Sequence, residues 1–179
     1  MKTQIWAHRG ASAYAPENTL EAFRLAAEMG ADGVELDVQL SRDGELVVAH
    51  DETIDRVSNG TGYIKDYTLA QLKELSFNRL FPAFKDARIP TLLEVYELLK
   101  PAGLTVNVEL KTGIILYPEI EEKVLALTAS MGMEDRVIYS SFCHPSLVRL
   151  KELDSGLKTG LLYSDGWIDA AAYGRHTVG

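Results

Sequence analysis

Short β-branched runs alternate along this chain with amphipathic helical stretches, and that alternation leaves few architectures open. Residues 4–9, 33–40, 45–49, 105–111, 137–142 and 158–163 read as strands. The first helix is expected behind Pro16-Glu17-Asn18, with Asn18 as its cap, Glu21 answering it and Gly30 as its stop. Thr68 with Gln71, and Thr91 with Glu94, have the capping-box spacing at two later helix starts. Further helices are expected from Pro118 to Gly132, from Pro145 to Leu153 and near Trp167. Strands joined by crossover helices imply a parallel sheet covered on both faces, either doubly wound or a (β/α)8 barrel. No Gly-rich phosphate loop follows the first strand, which weakens the doubly wound option. The expected fold is therefore α/β, a TIM-type (β/α)8 barrel, with about six strands in this chain. It is read as one domain over residues 1–179, with an insertion after the third strand at about 51–90.

Composition narrows the function classes. With 179 residues and a net charge of -8, the chain can bury a real core but lacks the basic surface that nucleic acid requires. Its single cysteine, Cys143, allows no intramolecular disulfide and fits a reducing compartment. Met1-Lys2-Thr3-Gln4 leads straight into Ile5-Trp6-Ala7, without the apolar run of a signal peptide. No segment has the ~20 apolar residues of a membrane span. A cytoplasmic location is expected.

The chemistry sits where the strands end. His8-Arg9-Gly10, Glu35-Leu36-Asp37, His50-Asp51 and Glu109-Leu110-Lys111 each adjoin an apolar run. Ionisable groups at the exits of buried strands are costly unless paired or bound to a metal. Catalytic groups of a barrel stand at the carboxyl ends of its strands, which is where these lie. Residues i and i+2 share a strand face, so Glu35 points with Asp37, and Asn107 with Glu109 and Lys111. Converging carboxylates repel one another unless a cation neutralises them. Oxygen-only ligation suits a hard divalent ion, Mg2+ or Ca2+. The plainer alternative is that Glu35 and Asp37 only pair with Arg9 and Lys111 inside the barrel, at a large desolvation cost.

One histidine at a strand end is usually a hydrogen-bonding core residue. Two beside a metal cluster, with unperturbed pKa values near ~6.5, suit proton transfer at neutral pH. His144 and His176 lack that setting and read as a helix-start residue and a tail residue. Asn18 stands between a capping role and a role in the site. Ser141 and Phe142 close the fifth strand and are candidates to line the pocket. Phe77, Phe81 and Phe84 read as a satellite core, with a lid as the alternative.

In their order along the chain, His8-Arg9-Gly10, Pro16-Glu17-Asn18-Thr19, Glu35-Leu36-Asp37-Val38, His50-Asp51 and Glu109-Leu110-Lys111 resemble the glycerophosphodiester phosphodiesterase family. The likeness runs from residue 5 to about 164. It implies a (β/α)8 barrel with a small insertion, and hydrolysis of glycerophosphodiesters to an alcohol and glycerol 3-phosphate. It implies a divalent metal on Glu35, Asp37 and Glu109, and His8 and His50 as acid and base. Arg9 and Lys111 would hold the phosphate, with Asn18 and Phe142 as further substrate contacts. The insertion has no ionisable group at a strand exit past Asp51 and is expected to tune substrate choice rather than chemistry.

The chain departs from the family in length. An eight-strand barrel takes ~250 residues, and the last strands are missing here. An open arc exposes two parallel edges and the apolar barrel interior, so the chain is expected to form a homo-oligomer or to be only marginally stable. Two other function classes stay open: a non-catalytic fragment that binds phosphate, and a related phosphodiesterase acting on lysophospholipids.

Overall fold

The computed structural model describes residues 3–178. Its sheet contains β1 (Trp6–His8), β2 (Gly33–Leu40), β3 (Leu46–Val48), β4 (Thr105–Leu110), β5 (Val137–Ser141) and β6 (Thr159–Leu161). The parallel path runs β1-β2-β4-β5-β6, and among the described residues it does not close on itself. The helices are α1 (Leu20–Glu28), α2 (Leu69–Glu74), α3 (Leu92–Ala102), α4 (Ile120–Ser130), α5 (His144–Leu153) and α6 (Ala170–Thr177). No helix among the described residues is long and apolar enough to cross a membrane.

Six strands are present among the described residues, as expected, but the third leaves the parallel path. β3 pairs antiparallel with β2, Val38 opposite Val48 and Leu40 opposite Leu46. The connection decides this. Ser41 to Glu45 form a tight turn in which Gly44 takes φ +80 and the Ser41 hydroxyl donates to Asp43 Oδ1 at 2.6 Å. A parallel return needs a crossover of about a dozen residues or more, and this link is far shorter.

The first helix also starts differently. Thr19, not Asn18, is the cap: its hydroxyl oxygen accepts from the Ala22 N–H at 3.3 Å. Glu21 lies in the first turn without completing a capping box. Asn18 has left-handed φ, +55, and its side chain turns into the sheet instead. The boxes at Thr68–Gln71 and Thr91–Glu94 form as the spacing predicts. The αL Gly103 ends α3.

Alternation along the strands divides the interior into two chemistries. Val34, Leu36 and Val38 of β2, with Val106, Val108 and Leu110 of β4, are buried against the helices. Phe23 and Ala26 of α1 and Tyr96 and Leu99 of α3 meet them in one core. Each such aliphatic side chain contributes roughly 1.5–3 kcal/mol through burial. The intervening residues Glu35, Asp37, Gln39, Asn107 and Glu109 face the other way. A second cluster, Val47, Ile54, Ile64, Leu72, Phe77 and Ile89, stabilises the insertion. Phe77 belongs to that satellite core, while Phe81 and Phe84 meet edge to face at 6.3 Å.

Candidate active site

Strand register assembles the acidic cluster. Asp37 lies opposite Glu109 across β2 and β4, and Glu35 lies one layer below, opposite Asn107. Both β2 carboxylates sit within Gly33–Val38, the stretch paired with β4, before the hairpin begins. One oxygen from each of Glu35, Asp37 and Glu109 falls within 4.8 Å of the others. Asp37 is fully buried and Glu109 nearly so.

Burial, and then the Asp37 carboxylate, push Glu35 up to about 8, although the Arg9 N–H donates to it at 3.1 Å. Glu109 is raised by the same two causes, opposed by Lys111, whose Nζ donates to Glu109 Oε1 at 3.1 Å. The cations do not satisfy the cluster. Arg9 Nε stands 3.6 Å from Asp37 Oδ2, and Lys111 Nζ stands 3.8 Å from Asp37 Oδ1. Glu35 Oε1 and Asp37 Oδ1 are buried without a hydrogen-bond partner. Buried carboxylate oxygens are rarely left so, and a hard divalent cation is the ligand this oxygen set fits.

Local backbone brings the other groups to the cluster. Arg9 follows β1 with left-handed φ, +58, and Gly10 continues the turn at φ +76. The close approach of α1 requires glycine there, since a Cβ would lie 2.7 Å from the backbone carbon of Ala22. Gly10→Ala should destabilise the fold by on the order of 1–3 kcal/mol and displace Arg9. A lowered urea midpoint together with weaker binding of inorganic phosphate is the expected result.

Asn18 donates from Nδ2 to Asp37 Oδ2 at 2.8 Å, while its own Oδ1 is left buried without a partner. The β2–β3 hairpin returns the chain to the same level, with the Ala49 N–H donating to the Asp37 carbonyl at 3.0 Å. That contact sets His50 beside the acids. Its Nδ1 lies 2.6 Å from Asp51 Oδ1. His8 Nε2 lies 3.7 Å from Glu35 Oε2, with its side chain 68% exposed. Partial burial, then the neighbouring Arg9, hold its pKa below the ordinary histidine value.

His8, Arg9, Asn18, Glu35, Asp37, His50, Glu109 and Lys111 thus converge at one end of the sheet. Phe142 is exposed at the carboxyl end of β5, on the rim rather than in this network. His144 starts α5, as expected, and its Nε2 lies 2.8 Å from the Leu162 carbonyl oxygen.

A model of the glycerophosphoryl diester phosphodiesterase family matches residues 8–175. The chain belongs to this family. It is 52% identical over 170 residues to a glycerophosphodiester phosphodiesterase of Caldanaerobacter subterraneus, covering 94% of this chain and 70% of that protein. A glycerophosphodiester phosphodiesterase structure from Agrobacterium tumefaciens superposes with TM-score 0.81 at 38% identity, over 88% of this chain and 66% of the other. A phosphodiesterase from Oleispira antarctica, in complex with the product sn-glycerol-3-phosphate, superposes with TM-score 0.85 at 33% identity, over 98% of this chain and 72% of its own. The chain therefore spans about two thirds to seven tenths of these relatives' lengths. The glycerophosphodiester phosphodiesterases are TIM barrels, and the open sheet is an arc of that fold.

Several residues of the site carry no assigned role in the sequence reading. Gln39 continues the Glu35–Asp37 face and donates to the carbonyls of Ala49, His50 and Asp51 at 2.9, 3.3 and 2.7 Å. Its Oε1 accepts from the Tyr117 hydroxyl at 2.9 Å. The two-residue period already places Gln39 on the acidic face, so its presence there was findable. Its partners were not, because they depend on the hairpin. Ser140 lies opposite Glu109 in register, and its hydroxyl is buried without a partner, as is Asn107 Oδ1. Glu17 and Arg56 enter through side-chain contacts across 39 residues of sequence.

Proposed function

We propose that this chain hydrolyses glycerophosphodiesters to an alcohol and glycerol 3-phosphate, with a divalent cation held by Glu35, Asp37 and Glu109. The observation that carries the reading is the convergence of these three carboxylates, with buried oxygens lacking partners, between two histidines and two cations. A bound Mg2+ or Ca2+ would supply Lewis-acid neutralisation of charge on the phosphoryl oxygens.

The chain's own groups do the rest. Arg9 and Lys111 hold the anionic phosphodiester and offset the charge that builds on it. Asn18 keeps Asp37 turned into the cluster through its amide. His8, kept neutral by its surroundings, takes the proton from the attacking oxygen as the new P–O bond forms. His50, oriented through Asp51, gives a proton to the departing alkoxide as the old P–O bond breaks. The attacking oxygen is water, or the glycerol hydroxyl in a route through a cyclic phosphate. Phe142 lies at the rim where the leaving alcohol would be contacted. The insertion, with its own core, borders the same end and would tune the choice among diesters. The product held by the Oleispira relative supports glycerol 3-phosphate as the common moiety. A reducing, cytoplasmic setting belongs to the same reading and is supported by the single cysteine.

Incubation with glycerophosphocholine, with and without Mg2+ or Ca2+, tests the proposal. Metal-dependent release of choline and glycerol 3-phosphate is expected. Absence of release under every metal, with inorganic phosphate still bound, would favour the non-catalytic reading. Release from lysophosphatidylcholine alone would point to the lysophospholipid enzyme.

A further inference from the structure

Arg56 lies early in the insertion, five residues past Asp51, at a position with no catalytic signature in the sequence. Its guanidinium nevertheless touches both arms of the site. Nη1 and Nη2 donate to the two oxygens of Glu17 at 2.8 Å each, and Nε donates to Asp51 Oδ2 at 2.7 Å. Each of these carboxylates has a second partner. Glu17 Oε1 also accepts from Arg9 Nη1 at 3.1 Å, and Asp51 Oδ1 meets His50 Nδ1 at 2.6 Å. The chain of contacts therefore runs Arg9–Glu17–Arg56–Asp51–His50. Two cations offset two carboxylates along it, so charge balances within the network, although Arg9 Nε is buried without a hydrogen-bond partner.

Its surroundings hold Arg56 in place. The seam between Glu17–Asn18 and residues 48–57 encloses only about 10 Å³, barely room for one water. Ile54, two residues before Arg56, is wholly buried in the satellite core, and its N–H donates to the Gly62 carbonyl at 3.0 Å. Arg79 donates from Nη1 to the Asp55 carbonyl at 2.6 Å and from its backbone to the Val57 carbonyl at 3.1 Å. An isolated, half-exposed ion pair contributes little to stability. A planar fork that engages one carboxylate through two nitrogens and a second through its third is a different case, because it fixes direction as well as distance. Arg56 is also the main reason that Glu17 stays ionised below the ordinary carboxylate range.

We propose that Arg56 is a positioning residue, which sets the His50 ring through Asp51 and the Arg9 guanidinium through Glu17. The insertion thereby reaches the chemistry, beyond any part it has in substrate choice. The inference rests on the acid–base reading of His50. Near-attack geometry is demanding, and a misplacement of about 1 Å can cost on the order of 10²-fold in rate. With Arg56 gone, Asp51 loses its fixed partner and the imidazole it holds is free to turn.

Three forms of the full chain test this with Mg2+ present: wild type, Arg56→Gln and Arg56→Lys. Turnover of glycerophosphocholine and the side-chain ¹⁵N–¹H spectrum of the histidines are both recorded. In Arg56→Gln, kcat is expected to fall about 10–100-fold with a smaller change in KM. The His50 signals, one tautomer in wild type, should broaden or split. Mg2+ affinity should be unchanged. Arg56→Lys should recover only part of the loss, since one ammonium cannot form the fork. Unchanged kcat and unchanged His50 signals in Arg56→Gln overturn the proposal, as does full recovery in Arg56→Lys. Should Arg56→Gln fail to fold, Arg56→Lys carries the test, with the same spectral change expected. If wild type turns over no diester, the acid–base reading falls, and the His50 signals alone decide whether Arg56 positions the ring.

Discussion

Replacing His50 with alanine is expected to lower turnover by about 10²–10⁴-fold while leaving metal and glycerol 3-phosphate binding near normal. The separation follows from where His50 sits. Its backbone is clamped by Gln39 and its ring by Asp51, whereas the acidic cluster proposed to hold the metal and the cations proposed to hold the phosphate are built from other residues. Losing the imidazole removes a proton donor without opening the core, since His50 is only partly buried. The measurement is single-turnover release of choline, paired with calorimetric titration of glycerol 3-phosphate. Near-normal turnover in the variant would take the proton-transfer role away from His50. A parallel loss of metal binding would instead make His50 part of the metal site.

The second large effect is expected from Glu35→Gln, which should abolish or strongly weaken metal binding and remove activity with it. Glu35 is held up to about 8 by burial first and by Asp37 second. Its folded-state pKa lies above its ordinary value of 4.5, so the direction of the linkage is settled. The protonated carboxyl stabilises the metal-free fold fully below about pH 4.5, and that contribution is lost as pH rises toward 8. A cation must displace the proton to bind. Apparent metal affinity should therefore rise by up to about tenfold per pH unit across that window and level off above it.

Glu109 is raised in the same direction, and its charge adds to the upward push on Glu35, so observed titration steps belong to the group rather than to one residue. The amide introduced by Glu35→Gln would be neutral at every pH. The metal-free variant should accordingly be less sensitive to alkaline destabilisation than wild type, although it no longer holds the ion. Calorimetry in buffers of different ionisation enthalpy counts the released proton, and urea midpoints across about pH 5–9 follow the stability. Unchanged metal affinity in Glu35→Gln would remove the ligand assignment. Metal binding without proton release below about pH 8 would mean that Glu35 is already ionised.

Much of this was legible in the sequence because it depends on short-range regularities. A period of two set Glu35 with Asp37 and Asn107 with Glu109, whatever the rest of the chain does. Capping-box spacing placed the starts of α2 and α3 correctly, since both partners lie within one turn. At α1 the same local logic chose wrongly between adjacent residues. Asn18 and Thr19 are both good caps, and what separates them is an attraction from Asp37, 19 positions along the chain. The hairpin of β3 follows from a short turn, yet its consequence for His50 appears only when Ala49 meets Asp37 across the sheet.

The sequence by itself therefore determined the strand–helix alternation, the facing of the acids, the oxygen-only character of the candidate ligand set and the family resemblance. Tertiary structure alone decided which oxygens lack partners, that Thr19 rather than Asn18 caps α1, and that Arg56 joins Arg9 to His50. The physical reason is range. Periodicity and capping act within a few residues, where the backbone fixes the geometry. Side-chain ion pairs and desolvation depend instead on which distant segments the packed core brings together, and no spacing along the chain encodes those distances.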